Sequence, residues 1–175
     1  MTLEKLAAHV RTVADFPKAG IQFRDLTPLL ADGAAFQATT AALAERAGAF
    51  DLIAGVEARG FLFGAALAQR TGHGLVLVRK PGKLPGQTIG HDYALEYGTD
   101  RLELHDGQVP KSARVLLVDD VLATGGTAAA AVELLRKSGA TVTRALFVLE
   151  LDGLSGAQKL RAAGVEPVSL LHFPA

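Results

Sequence analysis

Val115-Leu116-Leu117-Val118-Asp119-Asp120-Val121-Leu122-Ala123-Thr124-Gly125-Gly126-Thr127 is the stretch on which the reading of this 175-residue chain turns. Four apolar residues run into two adjacent carboxylates. A short Gly-rich turn follows, then an Ala-rich segment to Leu135. An apolar run without alternation marks a strand buried on both faces, as in parallel sheets. Thr127 through Leu135 has helix-forming composition. The stretch is therefore predicted to be strand, loop, helix. Gly125 and Gly126 let the loop backbone take positive φ and come close to a ligand. Free amide N–H groups at a helix N-terminus form an anion site, and Thr124 and Thr127 add hydroxyl donors. The aspartates stand where open α/β sheets bind ligands, at the C-terminal end of a parallel strand. Carboxylates are poor partners for phosphate and good acceptors for sugar hydroxyls. Asp-Asp alone reads as a solvated pair, but with Ala-Thr-Gly-Gly-Thr behind it the two features fit a phosphorylated ribose.

Strand, two acids and a Thr-Gly-Gly-Thr loop at this spacing resemble the phosphoribosyl-pyrophosphate (PRPP) signature of the type I phosphoribosyltransferases. The stretch is unlike the ATP-binding P-loop, whose longer Gly-x-x-x-x-Gly-Lys pattern is absent.

Composition sets bounds. The length suits one domain, residues 1–175, with a sizeable core. Eighteen Lys and Arg balance eighteen Asp and Glu, so charge gives no support for a nucleic-acid or membrane-surface partner. With no cysteine there is no disulfide framework, thiolate metal site or Cys nucleophile. Met1 to Val10 mixes apolar and charged residues, unlike a secretory signal, and no apolar run is long enough for a bilayer. A cytoplasmic location is the expectation. The five histidines show no ligand spacing, so no protein-built metal site is assigned.

Leu3, Leu6, Ala7 and Val10 recur at helical spacing, and Pro17 and Gly20 mark the loop after them. Ala34 to Ala49 is a predicted helix ending near Gly48. Leu52 to Val56 is a buried strand, followed by Glu57-Ala58-Arg59-Gly60 and a helix over Phe61 to Arg70. Leu75 to Val78 is a third strand, followed by Arg79-Lys80-Pro81-Gly82-Lys83-Leu84-Pro85-Gly86. Alternation over Thr88 to His105 predicts an antiparallel hairpin rather than core strand. Thr143 to Leu149, Ser155 to Ala163 and Val168 to Leu171 read as strand, helix and strand. Strands alternating with helices give an α/β fold with a doubly wound, mostly parallel sheet flanked by helices.

Four further segments are similar to adenine phosphoribosyltransferases. Phe16-Pro17-x-x-Gly20-x-x-Phe23-Arg24-Asp25-x-Thr27-Pro28 resembles their base-recognition segment. The resemblance implies that Phe23 stacks on the purine, with Ile21, Gln22 and Arg24 around the base. Main-chain readout is apt, because adenine presents adjacent donor and acceptor atoms as a peptide does. Gln22 stands where the family often has an apolar residue. The Glu57-Ala58-Arg59 loop is implied to hold pyrophosphate with an unusual backbone turn, and the Arg fork matches phosphate oxygens. Arg79, Lys80 and Lys83 match the family's Arg-Lys-x-Gly-Lys-Leu-Pro pattern and are implied to clamp the same anion. Leu95-Glu96-Tyr97-Gly98 resembles the lid piece that carries a catalytic acid, which gives Glu96 that role and makes Tyr97 a lid contact. Read without the family, each segment is an ordinary surface stretch.

Taken whole, the resemblance implies a flexible catalytic lid over residues 81–105 and a small N-terminal hood within residues 1–33. It implies transfer of the 5-phosphoribosyl group from PRPP to adenine, giving AMP and pyrophosphate, a step of purine salvage. The implied catalytic residues are Glu96, Arg59 and Lys83. Glu57, Ala58, Asp119, Asp120 and Ala123 to Thr127 are implied to bind PRPP or AMP. Mg²⁺ is expected to enter with PRPP, touching Asp119 through water at most, and the chain is expected to be a homodimer. The alternatives are another nucleobase, such as xanthine, or a PRPP-sensing regulator on the same fold.

Overall fold

The computed structural model describes residues 1–94 and 98–175. The chain begins with α1 (Leu3–Ala7), β1 (Arg11–Ala14), β2 (Gln22–Asp25) and α2 (Thr27–Ala31). Then come α3 (Gly33–Arg46), β3 (Leu52–Val56), α4 (Gly60–Thr71) and β4 (Gly74–Val78). The hairpin is β5 (Thr88–Ala94) and β6 (Thr99–His105). The C-terminal half is β7 (Arg114–Leu122), α5 (Gly126–Lys137), β8 (Thr141–Asp152), α6 (Gly156–Ala162) and β9 (Glu166–Pro174).

Five strands form one sheet in the order β4-β3-β7-β8-β9, and every neighbouring pair is parallel. The run Val115 to Val118 explains why. Val115 and Leu117 pack into a core with α5 and α6, while Leu116 and Val118 pack into a second core with α3 and α4. Both faces of β7 are therefore dry, as its unalternating sequence requires. From β3 the chain moves outward to β4, then returns to place β7 on the other side of β3. That reversal of strand order is a switch point, where the loops after two neighbouring strands diverge and leave a crevice.

The structure departs from the expected elements in three places. β1 and β2 form a two-stranded antiparallel ribbon, with Val13 opposite Phe23 and Thr12 opposite Arg24. Its sequence gave no strand signal, because all eight residues are exposed or half-buried. Asp119 and Asp120 lie inside β7 and not after it. Pairing to β3 stops at Val118, but pairing to β8 runs on to Leu122. The hairpin is antiparallel as expected, but Leu102 and Leu104 of β6 are fully buried in the α5-side core. Arg79 also exchanges two backbone hydrogen bonds with Glu103. The stem of the hairpin is thus packed against the body of the fold at Leu102 and Leu104.

Candidate active site

The switch point opens into a cleft of about 380 Å³. Its walls are the Glu57-Ala58-Arg59 loop, Lys80, and the chain from Asp119 through Ala128. At one end Gly125 precedes α5 with φ of +74°, a conformation glycine adopts without strain. The first amides of α5, which no helical carbonyl can reach, are left available to an anion at this end of the cleft. The loop is backed by Gly156 at the start of α6. A Cβ on Gly125 would come within 2.8 Å of the Gly156 Cα, and one on Gly156 would fall on the Ala123 carbonyl. No sequence reading singled out Gly156. Its role depends on α6 folding back against the loop, and no local pattern shows that.

The two aspartates differ in surroundings. Asp120 is buried and its Oδ2 accepts the Arg59 Nε–H. The Asp119 Oδ1 accepts the Asp120 amide at 2.8 Å. Burial, followed by the adjacent Asp120 charge, holds the Asp119 carboxyl well above the usual carboxylate range. Gly60 makes room for it, since a Cβ there would lie 2.8 Å from Asp119 Oδ1.

On the opposite wall the peptide between Glu57 and Ala58 is cis, the unusual turn expected there. Glu57 accepts from the Arg79 guanidinium at 2.8 Å and from the Lys80 amide at 2.7 Å. Burial raises the Glu57 carboxyl, but these donors outweigh it and the net direction is down. The Arg79 guanidinium also donates to the Lys83 carbonyl at 2.9 Å. Of the three loop cations expected to meet the anion, Lys80 lines the cleft, whereas Arg79 and Lys83 do not. Arg79 is turned toward Glu57, and Lys83 is exposed.

Lys80 leads to two residues the sequence did not reveal. Its ammonium donates to Asp100 and, at 3.2 Å, to the Tyr93 hydroxyl. Tyr93 donates to Asp100 at 2.9 Å and lies 3.4 Å from the Thr127 hydroxyl. Burial would lower the Lys80 ammonium, but the carboxylate beside it carries it above its ordinary value. Tyr93 and Asp100 are register partners across the hairpin, and alternation in both strands was the available clue.

Phe23 lies outside the cleft lining, in a neighbouring hollow with Val13, Phe16 and Asp25, and adjoins the cleft through Arg59. The Arg59 guanidinium carbon lies 5.7 Å from its ring centroid, and Phe16 packs edge-on against it at 5.2 Å. Ile21 is half-buried and Gln22 exposed. The Arg24 side chain does not join the base side. It donates to Thr12 and the Pro174 carbonyl on the other face of the ribbon, as alternation along a strand dictates. Glu96 and Tyr97 lie outside the described residues. Among the described residues no three acidic or His side chains cluster as metal ligands, and no helix is long and apolar enough to cross a membrane.

Comparison with known proteins meets this geometry. Residues 27–164 match the model of the phosphoribosyl transferase domain family. The chain is 55% identical to the adenine phosphoribosyltransferase of Erythrobacter litoralis, over 99% of this chain and 98% of that one. It superposes on the crystal structure of the Thermoanaerobacter pseudethanolicus adenine phosphoribosyltransferase with a TM-score of 0.94 at 49% identity, covering 98% of this chain and all of that one. It superposes on the Saccharomyces cerevisiae adenine phosphoribosyltransferase, complexed with an imino-altritol bisphosphate and adenine, with a TM-score of 0.89 at 39% identity, covering 97% and 98%. With an acid pair and a Gly-rich loop before a helix in one cleft, an aromatic pair beside it, and relatives this similar over nearly its whole length, the chain belongs to the phosphoribosyltransferase family and, within it, to the adenine phosphoribosyltransferases.

Proposed function

We propose that the cleft transfers the 5-phosphoribosyl group of PRPP to adenine, releasing pyrophosphate and giving AMP. One observation carries the reading. The aspartate pair shares a cleft with a helix-N-terminal loop suited to a phosphate, and Arg59, bonded to Asp120, also meets the Phe23 ring, which is suited to a purine. The loop from Ala123 to Thr127 takes the 5′-phosphate, and Asp119 and Asp120 take the ribose hydroxyls. Ala58, Arg59 and Lys80 face the pyrophosphate. Phe23 stacks on the base, while the main chain of Ile21 to Arg24 offers its donors and acceptors to the base edge.

A ring nitrogen of adenine attacks the anomeric carbon as the bond to pyrophosphate breaks, and the attacking base gives up its N–H proton. Charge builds on the departing oxygens, so Arg59 and Lys80 stabilise the transition state more than the ground state. Holding base and sugar in line removes the entropic cost of their encounter. Glu96 is proposed to hold or exchange the purine proton, with Tyr97 closing over it. The described residues offer Mg²⁺ no cage of side chains, but the Asp119 edge can meet the hydration shell of an ion carried by the substrate. Mg²⁺ bound to PRPP would supply charge neutralisation on pyrophosphate, keeping water and substrate oxygens as ligands. PRPP carries too much charge to cross a bilayer unaided, so the enzyme is proposed to work where PRPP is made, in the cytoplasm.

The deciding experiment assays adenine, guanine, hypoxanthine and xanthine with PRPP. Adenine is expected to be the preferred base by a wide margin. Turnover of xanthine in its place would shift the reading to another base. PRPP binding without turnover of any base would make the chain a sensor.

A homodimer is part of the proposal. Lys83 is exposed and outside the cleft of its own chain, which suits a cation offered to a neighbouring site. Sedimentation at micromolar concentration should give twice the 18.2 kDa of one chain, and a monomer alone would remove this role for Lys83.

A further inference from the structure

A two-stranded ribbon is marginal by itself in water, yet β1 and β2 carry the residue proposed to stack on the base. We infer that Arg24 is a positioning residue that braces this ribbon against the end of the chain, so that the C-terminal pair Phe173-Pro174 sets where Phe23 stands. The inference rests on the proposed role of Phe23.

Phe23 and Arg24 are neighbours on β2 and so face opposite sides. On one side Phe23 meets Phe16 and the Arg59 of the cleft. On the other, the Arg24 guanidinium donates to Thr12 within the ribbon and, at 2.9 Å, to the Pro174 carbonyl. Its carbon also lies 5.2 Å from the Phe173 ring centroid, an attractive placement for a cation over an aromatic face. The other side-chain hydrogen bonds from β1 and β2 among the described residues stay in the ribbon or end at Thr27. Arg24 is therefore the side-chain polar tie from the ribbon to the central sheet.

The abutment itself is firm. Phe173 and Pro174 pair with Leu151 and Asp152 of β8, and Phe173 packs against the core on the α3 and α4 side. The Ala175 amide donates to the Asp152 carbonyl at 3.2 Å. Lateral movement of the ribbon would break a charge-assisted hydrogen bond and a ring contact together. The Arg24 side chain thus acts on the base through Phe23 and has no direct part in holding PRPP.

Steady-state kinetics of the full chain test this with Arg24→Ala, Arg24→Lys, Phe173→Leu and the Arg24→Ala/Phe173→Leu double variant. For Arg24→Ala the KM for adenine is expected to rise on the order of tenfold, the scale of one hydrogen bond to a charged group. The KM for PRPP, and kcat at saturating adenine, should stay within about twofold, because uniform base binding is what is lost. Arg24→Lys keeps a donor and a cation and should recover much of the loss. The double variant should add little to Arg24→Ala, since the two side chains act as one brace. Equal rises in both KM values, or an unchanged KM for adenine, would overturn the brace. So would a Lys variant no better than Ala. If Phe23→Ala leaves the KM for adenine unchanged, the stacking role itself fails, and the Arg24 results are read separately from it.

Discussion

Replacing Asp119 and Asp120 together by asparagine is expected to weaken PRPP binding by about 10²–10⁴-fold while the protein stays folded. The magnitude follows from two hydrogen bonds to ionised acceptors, each contributing about 1.5–3 kcal/mol. Isothermal titration with PRPP measures it, and an unchanged affinity would remove the ribose from this end of the cleft. Stability should move differently. Burial and Asp120 raise the Asp119 carboxyl in the folded chain. The native state therefore holds that proton more tightly than the unfolded state does. Stability from this group is full below the ordinary carboxylate range and is lost as pH rises through the raised value. Above the ordinary carboxylate range, keeping Asp119 in this buried place beside Asp120 costs stability. Asp119→Asn alone should keep or raise Tm at pH 7 and flatten the fall of Tm with pH above the ordinary carboxylate range. A carboxylate that weakens the fold yet grips the substrate is a common trade at functional sites.

Glu96→Gln should lower kcat and kcat/KM together by about 10²-fold or more if the acid moves a proton, and by only a few-fold if it positions the base. Glutamine keeps a hydrogen-bond donor but cannot transfer a proton. The control is Glu103→Gln. Glu103 is largely buried, accepts from the Arg101 guanidinium and the Gly82 amide at 3.2 Å each, and sits in the ladder with Arg79. Its substitution should appear in Tm and leave kcat near the parent value. Full turnover by Glu96→Gln with loss in Glu103→Gln would move the catalytic acid to the hairpin stem.

The sheet was legible because its strands are buried on both faces, which an unbroken apolar run such as Val115 to Val118 declares on its own. The Gly-rich loop before α5 was legible for a similar reason, since the turn is written in consecutive residues. The ribbon was not, because exposed strands need no apolar alternation and so leave no trace in Arg11 to Ala14. Arg24 was grouped with Phe23 for its main chain, and the pleat of the strand sends its side chain to the opposite face from the Phe23 ring. Period two, applied to that segment, separates them. Tyr93, Asp100 and Gly156 reach the cleft by hairpin register and helix packing. Those are properties of the whole chain, which short patterns do not record. The stem leucines were missed because Leu102 and Leu104 alternate as a half-exposed strand would, while the helix that covers them is more than twenty residues away in sequence.

The two cations that line the cleft rest on carboxylates of their own chain, Arg59 on Asp120 and Lys80 on Asp100, and Arg79 behind them rests on Glu57. The cleft thus carries its own counterions. A stray anion meets pairs that are already satisfied and has little to gain by parting one of them. A ligand that carries phosphate, ribose hydroxyls and pyrophosphate at fixed separations can exchange several of these partners in one binding event. Selectivity against the abundant inorganic phosphate of a cell then comes from the number of exchanges a ligand completes, and much less from the strength of any one contact.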